Sequence, residues 1–183
     1  MSLILPGILS LLQHMTTLRN DPDAYRPEKC PCGYGKLWSH GHYLRKPYGC
    51  DSSDKQHIPV SILRYYCPHC CCTCSVLPEC LPPRSWYLWK VRQIIFLCLL
   101  SGTSIRQTIA RHCEIADSPH GTTVKRWWKG FKAGFSLYSF TLRNHLPSLG
   151  RQERFGDFWT EVLAKFSLAS VMRLLHAEGI CVP

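Results

Sequence analysis

Six of the chain's twelve cysteines fall between Cys67 and Cys80, in the string RYYCPHCCCTCSVLPEC. Cys67-Pro68-His69-Cys70 is a C-x-x-C pair, and two thiolates at that spacing on a tight turn grip one metal ion from the same side. A closed four-ligand shell needs a second pair. Upstream, EKCPCGYGKLW offers Cys30 and Cys32; downstream, Cys72, Cys74 and Cys80 are the candidates. The favoured set is Cys30, Cys32, Cys67 and Cys70, with structural Zn²⁺ as the expected ion. The upstream pair is C-x-C, one residue shorter than the usual C-P-x-C-G knuckle, so its chelate geometry is more strained. His40, His42 and Cys72 are alternatives for one ligand. C-x-x-C is also a redox spacing, but no βαβ pattern surrounds it, which argues against thioredoxin-like chemistry. Cys71, Cys72, Cys74 and Cys80 read as packing or spare thiols. Cys98 and Cys113 lie in apolar helical patterns and read as small core residues; Cys50 and Cys181 carry no signal.

The elements around the cysteines must hold the two pairs together. LWSHGHYLRKPY and HIPVSILRYY read as two strands joined by the polar turn GCDSSDKQ. Val60, Ile62 and Tyr65 or Tyr66 supply the alternation and the β-branched and aromatic residues of a strand. Two knuckles at the ends of such strands make the long-loop arrangement of a zinc ribbon.

After LPPRS the period changes to helical. Leu88, Val91, Ile95, Cys98 and Leu99 follow the i, i+3, i+4, i+7 spacing, and Gly102 is a stop. Ser104 then caps IRQTIARHC, where Ile105, Ile109 and Ala110 share a face. In SPHGTTVKRWWKGFKAGF, Ser118 reads as an N-cap and Pro119 as the first helical residue. Val124, Trp128, Phe131 and Phe135 form one apolar stripe. Thr122, Thr123, Lys125, Arg126 and Lys129 lie largely off it, and Trp127 and Trp128 read as packing. Three helices with a basic, polar start to the third form a helix-turn-helix pattern. Such a helix enters a major groove with His120, Thr122, Thr123, Lys125, Arg126 and Lys129, supported by Arg106 from the preceding helix.

Charge agrees with that assignment. The chain carries +10 at pH 7; from Arg84 to Arg151 there are 11 Lys and Arg against two acids, Glu114 and Asp117. A cationic segment of this kind suits a polyanion, because each phosphate it neutralises releases a counterion. Double-stranded DNA is therefore the expected partner, and a plain solvated basic face is the alternative. The N-terminal run Leu3–Leu12 has no Lys or Arg before it and is broken by Pro6 and Gly7. It makes a poor signal peptide and is too short to span a bilayer. The run Ile94–Leu100 is also too short. A cytoplasmic protein with reduced thiols and no membrane partner is expected.

CPCGYGKLWSHGHYLRK, RYYCPHCCCTCSVLPECLPPRSWYLW, LLSGTSIRQTIARH and TVKRWWKGF together resemble the N-terminal region of bacterial insertion-sequence transposases. They also resemble short transposase-like proteins in which a zinc ribbon precedes a helix-turn-helix. The resemblance rests on His40-Gly41 with Tyr43, Arg64-Tyr65 with Cys67 and Cys70, Ser75 to Pro78, Ser101-Gly102 with Ser104, Arg106 and Ile109-Ala110, and Thr123-Val124 with Arg126-Trp127. It covers roughly residues 25 to 135. It implies a DNA-binding protein of mobile-element type, acting with a partner transposase or with itself as a homodimer. Catalytic members of that family continue into an RNase H-like domain with three metal-binding carboxylates, for which this chain has no room. Asp157 and Glu161, one helical turn apart, read as a solvated helix face rather than a two-metal site. An enzyme is therefore not expected. The other readings are a protein-interaction module, a transcription regulator and a truncated nuclease.

The C-terminal stretch reads as two helices, striped by Phe158, Val162 and Phe166 and by Leu168, Val171 and Leu175, with Ser167 as a cap and Gly179 as a stop. They complete the helical core or form a dimerisation hairpin. The expected fold is α+β, mostly α: an N-terminal segment (1–24), a zinc ribbon (25–83), a helix-turn-helix domain (84–135) and a C-terminal helical extension (136–183).

Overall fold

The computed structural model of the chain describes residues 2–49, 58–112 and 118–183. Among them are a four-stranded sheet and seven α-helices, an α+β fold that is mostly α. They form two compact units, Met1–Leu88 and Trp89–Pro183. The polar turn between the expected strands lies mostly outside the described residues, as do Cys50, Cys113, Glu114 and Asp117.

The first unit is built on the sheet. Strand β2 (Trp38–Arg45) pairs antiparallel with β3 (Val60–Tyr66), as the alternation predicts. β3 pairs antiparallel with β4 (Thr73–Pro78), and β1 (Ser2–Leu5) pairs parallel with β4, giving the order β1-β4-β3-β2. Residues 1–24, set apart on sequence, thus contribute an edge strand. They also contribute helix α1 (Leu11–Asn20), capped by Ser10 through the Gln13 N–H, and a 3-10 turn, Pro22–Tyr25. One sheet face buries Tyr65, Cys74 and Val76 against Tyr25, Cys30, Leu37 and Cys67. His14 of α1 is wholly buried and fixes the helix to the sheet. Its Nε2–H donates to the Ser61 carbonyl at 2.9 Å, so its Nδ1 accepts from the Tyr25 hydroxyl. Burial holds the imidazole below its ordinary pKa, against the opposing pull of the Ser61 carbonyl.

The second unit is helical: α2 (Trp89–Leu100), α3 (Ile105–Arg111), α4 (Gly121–Ala133), α5 (Phe135–His145), α6 (Phe155–Lys165) and α7 (Leu168–Ala177). Phe96 of α2 stacks on Phe131 of α4 with centroids 4.2 Å apart, and Trp159 of α6 meets both edge-on. Phe158, Val162, Leu168, Val171 and Leu175 are fully buried in this same cluster, so the stripes of α6 and α7 complete the core. Ser167 caps α7, and Gly179 ends it at a φ of +74°. Helix α5 carries no periodic stripe strong enough to be read from sequence. It is held by Tyr138 and Leu142, and Gly134 lets the Tyr138 ring approach where a Cβ would lie 2.3 Å from it. No helix among the described residues is long and apolar enough to cross a membrane.

Candidate metal centre and the basic helix

Cys30, Cys32, Cys67 and Cys70 converge, with their sulfurs all within 4.8 Å of one another. Cys30 Sγ lies 3.7 Å from Cys70 Sγ, and Cys32 Sγ lies 3.7 Å from Cys67 Sγ. Four sulfurs bound to one ion at about 2.3 Å in a tetrahedron stand about 3.8 Å apart, so the cross-pair separations match that shell.

Backbone turns set these positions. The Cys30 N–H donates to the Tyr34 carbonyl at 2.7 Å, and the Gly33 N–H donates to the Cys30 carbonyl at 2.8 Å. Gly33 sits at a φ of +90°, where a side chain would be strained. That reversal turns the short C-x-C into a working pair. On the other side the Cys67 N–H donates to the Cys72 carbonyl at 3.0 Å, and Cys71 takes a φ of +55° to close the knuckle. Strand β3 delivers Cys67 directly, and β4 begins just beyond the turn.

Burial pushes the Cys67 thiol up, but hydrogen bonds from the Cys70 and His69 backbone, then from Cys70 and Cys32, outweigh it and bring it down to about 7. Cys30 goes the other way, to about 12. A backbone hydrogen bond at Cys32 pulls it down, yet burial and hydrogen bonds with Cys32, Cys67 and Cys70 prevail. Four thiols this close cannot all carry charge unaided, and a divalent cation resolves that by binding them as thiolates.

The alternative ligands stay outside. His40 packs near the Tyr66 ring, and His42 and Cys72 are exposed; His69 stacks on Tyr34 with its Nδ1 4.0 Å from Cys32 Sγ. Cys74 is buried in the sheet core, Cys80 is half-buried and Cys71 and Cys181 are exposed. Cys98 is half-buried with its Sγ 3.3 Å from His112 Nε2. Among the described residues this is the only group of three or more His, Cys, Asp or Glu side chains placed to share an ion.

In the second unit, Ser104 forms a full capping box with Gln107 at the start of α3. Of the face expected there, Ile105 and Ile109 are half-buried and Ala110 is exposed, while Thr108 is the buried residue. Helix α4 begins two residues later than its sequence suggests. His120, at φ −63° and ψ 151°, is the N-cap and accepts from the Thr122 N–H; Ser118 is not, and its hydroxyl is buried without a partner. The buried face of α4 is Val124, Trp127 and Phe131; Trp128 is half-buried and Phe135 opens the next helix, which corrects the expected stripe. Trp127 takes the inner place because the buried Arg92 guanidinium lies 4.5 Å from its ring centroid and 4.9 Å from that of Trp89.

The consequence is a polar outer face. Arg106, His120, Thr122, Lys125, Arg126 and Lys129 are exposed and Thr123 is half-buried. None of the four Lys and Arg side chains forms an ion pair among the described residues. Asp157 is exposed, whereas the Glu161 carboxylate accepts from Lys165 Nζ at 2.8 Å and from the Gly150 N–H at 2.9 Å. Those bonds hold its pKa below the usual carboxylate value, the Lys165 bond most of all.

No protein family, curated protein or solved structure matches the chain.

Proposed function

We propose that the chain is a zinc-stabilised DNA-binding protein of the mobile-element, transposase-like kind, without strand-transfer chemistry of its own. The observation that carries this reading is the outer face of α4: a helix capped by His120 that buries Val124, Trp127 and Phe131 and turns Thr122, Lys125, Arg126 and Lys129 to solvent, the three cations without an ion pair among the described residues. Arg106 on α3 adds a cation. Exposed cations with no internal partner are available for phosphates, and the short polar side chains at the helix start suit base edges.

Zinc is the ion that fits the cysteine centre best. Four sulfur donors at tetrahedral spacing suit a soft, d¹⁰ cation, and a shell filled by protein leaves no open position for catalysis. Its role is then to tie β3 to the Cys30–Tyr34 loop. The engagement of Glu161 with Lys165 and Gly150 supports a non-catalytic role for the Asp157–Glu161 pair. The resemblance to transposases supports action as a homodimer or beside a partner transposase, and the short, interrupted N-terminal apolar run supports a cytoplasmic location.

The test is titration of the purified protein into labelled duplex DNA at several salt concentrations. Log affinity is expected to fall linearly with log salt, with a slope near 0.9 per neutralised phosphate, so about 3 to 4 for the four cations. Absence of measurable binding at low ionic strength would sink the reading.

A further inference from the structure

The first unit carries a groove that none of its four converging cysteines lines. A groove of about 500 Å³ is lined by Ser2, Tyr43, Leu44, Arg45, Ser75, Leu77 and the segment Arg84–Trp86. Two features of it call for a ligand. Arg45 lines the groove although only 8% exposed; its one hydrogen bond is donated to the Pro82 carbonyl at 2.7 Å, and no carboxylate pairs with it among the described residues. A buried cation without a counter-charge is costly, and an incoming anion relieves that cost. Arg84 lines the same groove from a φ of +53°, a left-handed conformation that is strained for a non-glycine residue and recurs at ligand clamps.

Beside the two arginines stand aromatic rings left open to water. Trp86 is 60% exposed and Tyr43 37%. The surface continues along the sheet. Ser75 pairs in register with Arg64, so both point to one face; two residues on, Tyr66 pairs with Trp38, which is 54% exposed. Rings and guanidinium groups therefore follow one another along the strands. Among the described residues no carboxylate lines the groove; Glu79 is buried and accepts from the Gly7 N–H, and Asp21 and Asp23 sit in the 3-10 turn whose Tyr25 packs on the opposite face.

Open ring faces and arginines in sequence fit a chain of alternating phosphates and bare bases. Duplex DNA hides its base faces in the stack, whereas a single strand presents them. We propose that this groove and the adjoining sheet face bind single-stranded DNA, with a phosphate held by Arg45 and Arg84 and a base stacked on Trp86. The site lies wholly within the first unit and does not depend on duplex binding by α4.

The experiment measures fluorescence anisotropy of the full-length protein, metal-loaded, with labelled oligothymidylate of about 20 nucleotides, a duplex of equal length and an oligouridylate control. Trp86→Ala and Arg84→Glu are each expected to weaken oligothymidylate binding about tenfold or more while duplex affinity stays within about twofold. Trp38→Ala tests the continuation along the sheet, with a loss of about fivefold expected. All three side chains are exposed, so unchanged thermal unfolding confirms that the fold is intact. Oligothymidylate affinity unaltered by Trp86→Ala and Arg84→Glu overturns the proposal, as does binding confined to oligouridylate. Lys125→Glu is the separate control: duplex affinity lost with oligothymidylate binding kept would support this site, and both lost together would place single-strand binding on α4 and overturn it.

Discussion

Cys32 Sγ lies 3.7 Å from Cys67 Sγ across 35 residues of chain. The contact joins a knuckle that is one residue short to an orthodox one, and Gly33 at a φ of +90° makes it feasible. The purified protein should therefore carry about one zinc per chain, measurable by elemental mass spectrometry. Cys32→Ser and Cys67→Ser should each lose it, and removing the metal should loosen the first unit, because metal binding and folding are coupled. Cys74→Ser should keep the zinc yet destabilise by about 1–3 kcal/mol, since it buries a hydroxyl in an apolar cluster. Zinc retained in Cys32→Ser and lost in Cys74→Ser would show that the ligand set is wrong.

The four unpaired cations of α3 and α4 make a quantitative claim about DNA. Charge reversal of Lys125 and Arg126 together should weaken duplex binding uniformly across sequences and flatten the log–log salt dependence by about 2. Thr122→Ala should instead alter preference among sequences and leave the slope alone, because a hydroxyl at the helix start reads bases and carries no charge. A salt slope unmoved by Lys125→Glu/Arg126→Glu would remove α4 from the interface.

The convergence of the four cysteines and the pairing of β2 with β3 were legible because their signals are local: close-spaced thiols on turns, and the alternation of Val60 and Ile62. Strand β4 carries an alternation too, Cys74, Val76 and Pro78 against Thr73, Ser75 and Leu77, but it is short and starts inside the run of cysteines, where strand and ligand patterns overlap. Strand β1 had none. Its partner Ser75 is 73 residues from Ser2, and a parallel edge pairing leaves no turn motif between them. The start of α4 was misplaced because Ser118-Pro119 satisfies the usual capping rule, whereas His120 supplies the cap acceptor in the folded chain. The aromatic–arginine groove was invisible for a similar reason: Arg45 and Ser75 come from separate strands of the sheet, and Trp86 joins them through the hydrogen bond that its carbonyl accepts from the Tyr48 N–H.

Helix α3 is only seven residues long, below the length at which a helix stands unaided, so its cap matters more than usual. Ser104 Oγ accepts from the Gln107 N–H while the Gln107 amide oxygen accepts from the Ser104 N–H. Ser104→Ala should cost about 1 kcal/mol in the stability of the second unit, read by chemical unfolding. Because α3 also presents Arg106, duplex affinity should fall with it even though residue 104 carries no charge. A variant as stable as the parent would mean that packing alone holds α3.

His14 gives the first unit a pH dependence of defined sign. Its imidazole is neutral in the fold, donating from Nε2 to Ser61 and accepting at Nδ1 from Tyr25, and a protonated ring has no acceptor to offer Tyr25. Burial lowers its folded-state pKa beneath the unfolded value of 6.5. Between the two values the unfolded chain binds the extra proton, so stability rises with pH there. The contribution is complete above about pH 6.5 and is lost as pH falls through the folded value. His14→Gln should cost about 1–3 kcal/mol at neutral pH, by disturbing a buried hydrogen-bond pair, and should flatten the acid limb of the stability curve. Both proteins share the zinc-ligand thiols, so their difference isolates the imidazole. Parallel acid limbs for the two would mean that His14 does not titrate on unfolding.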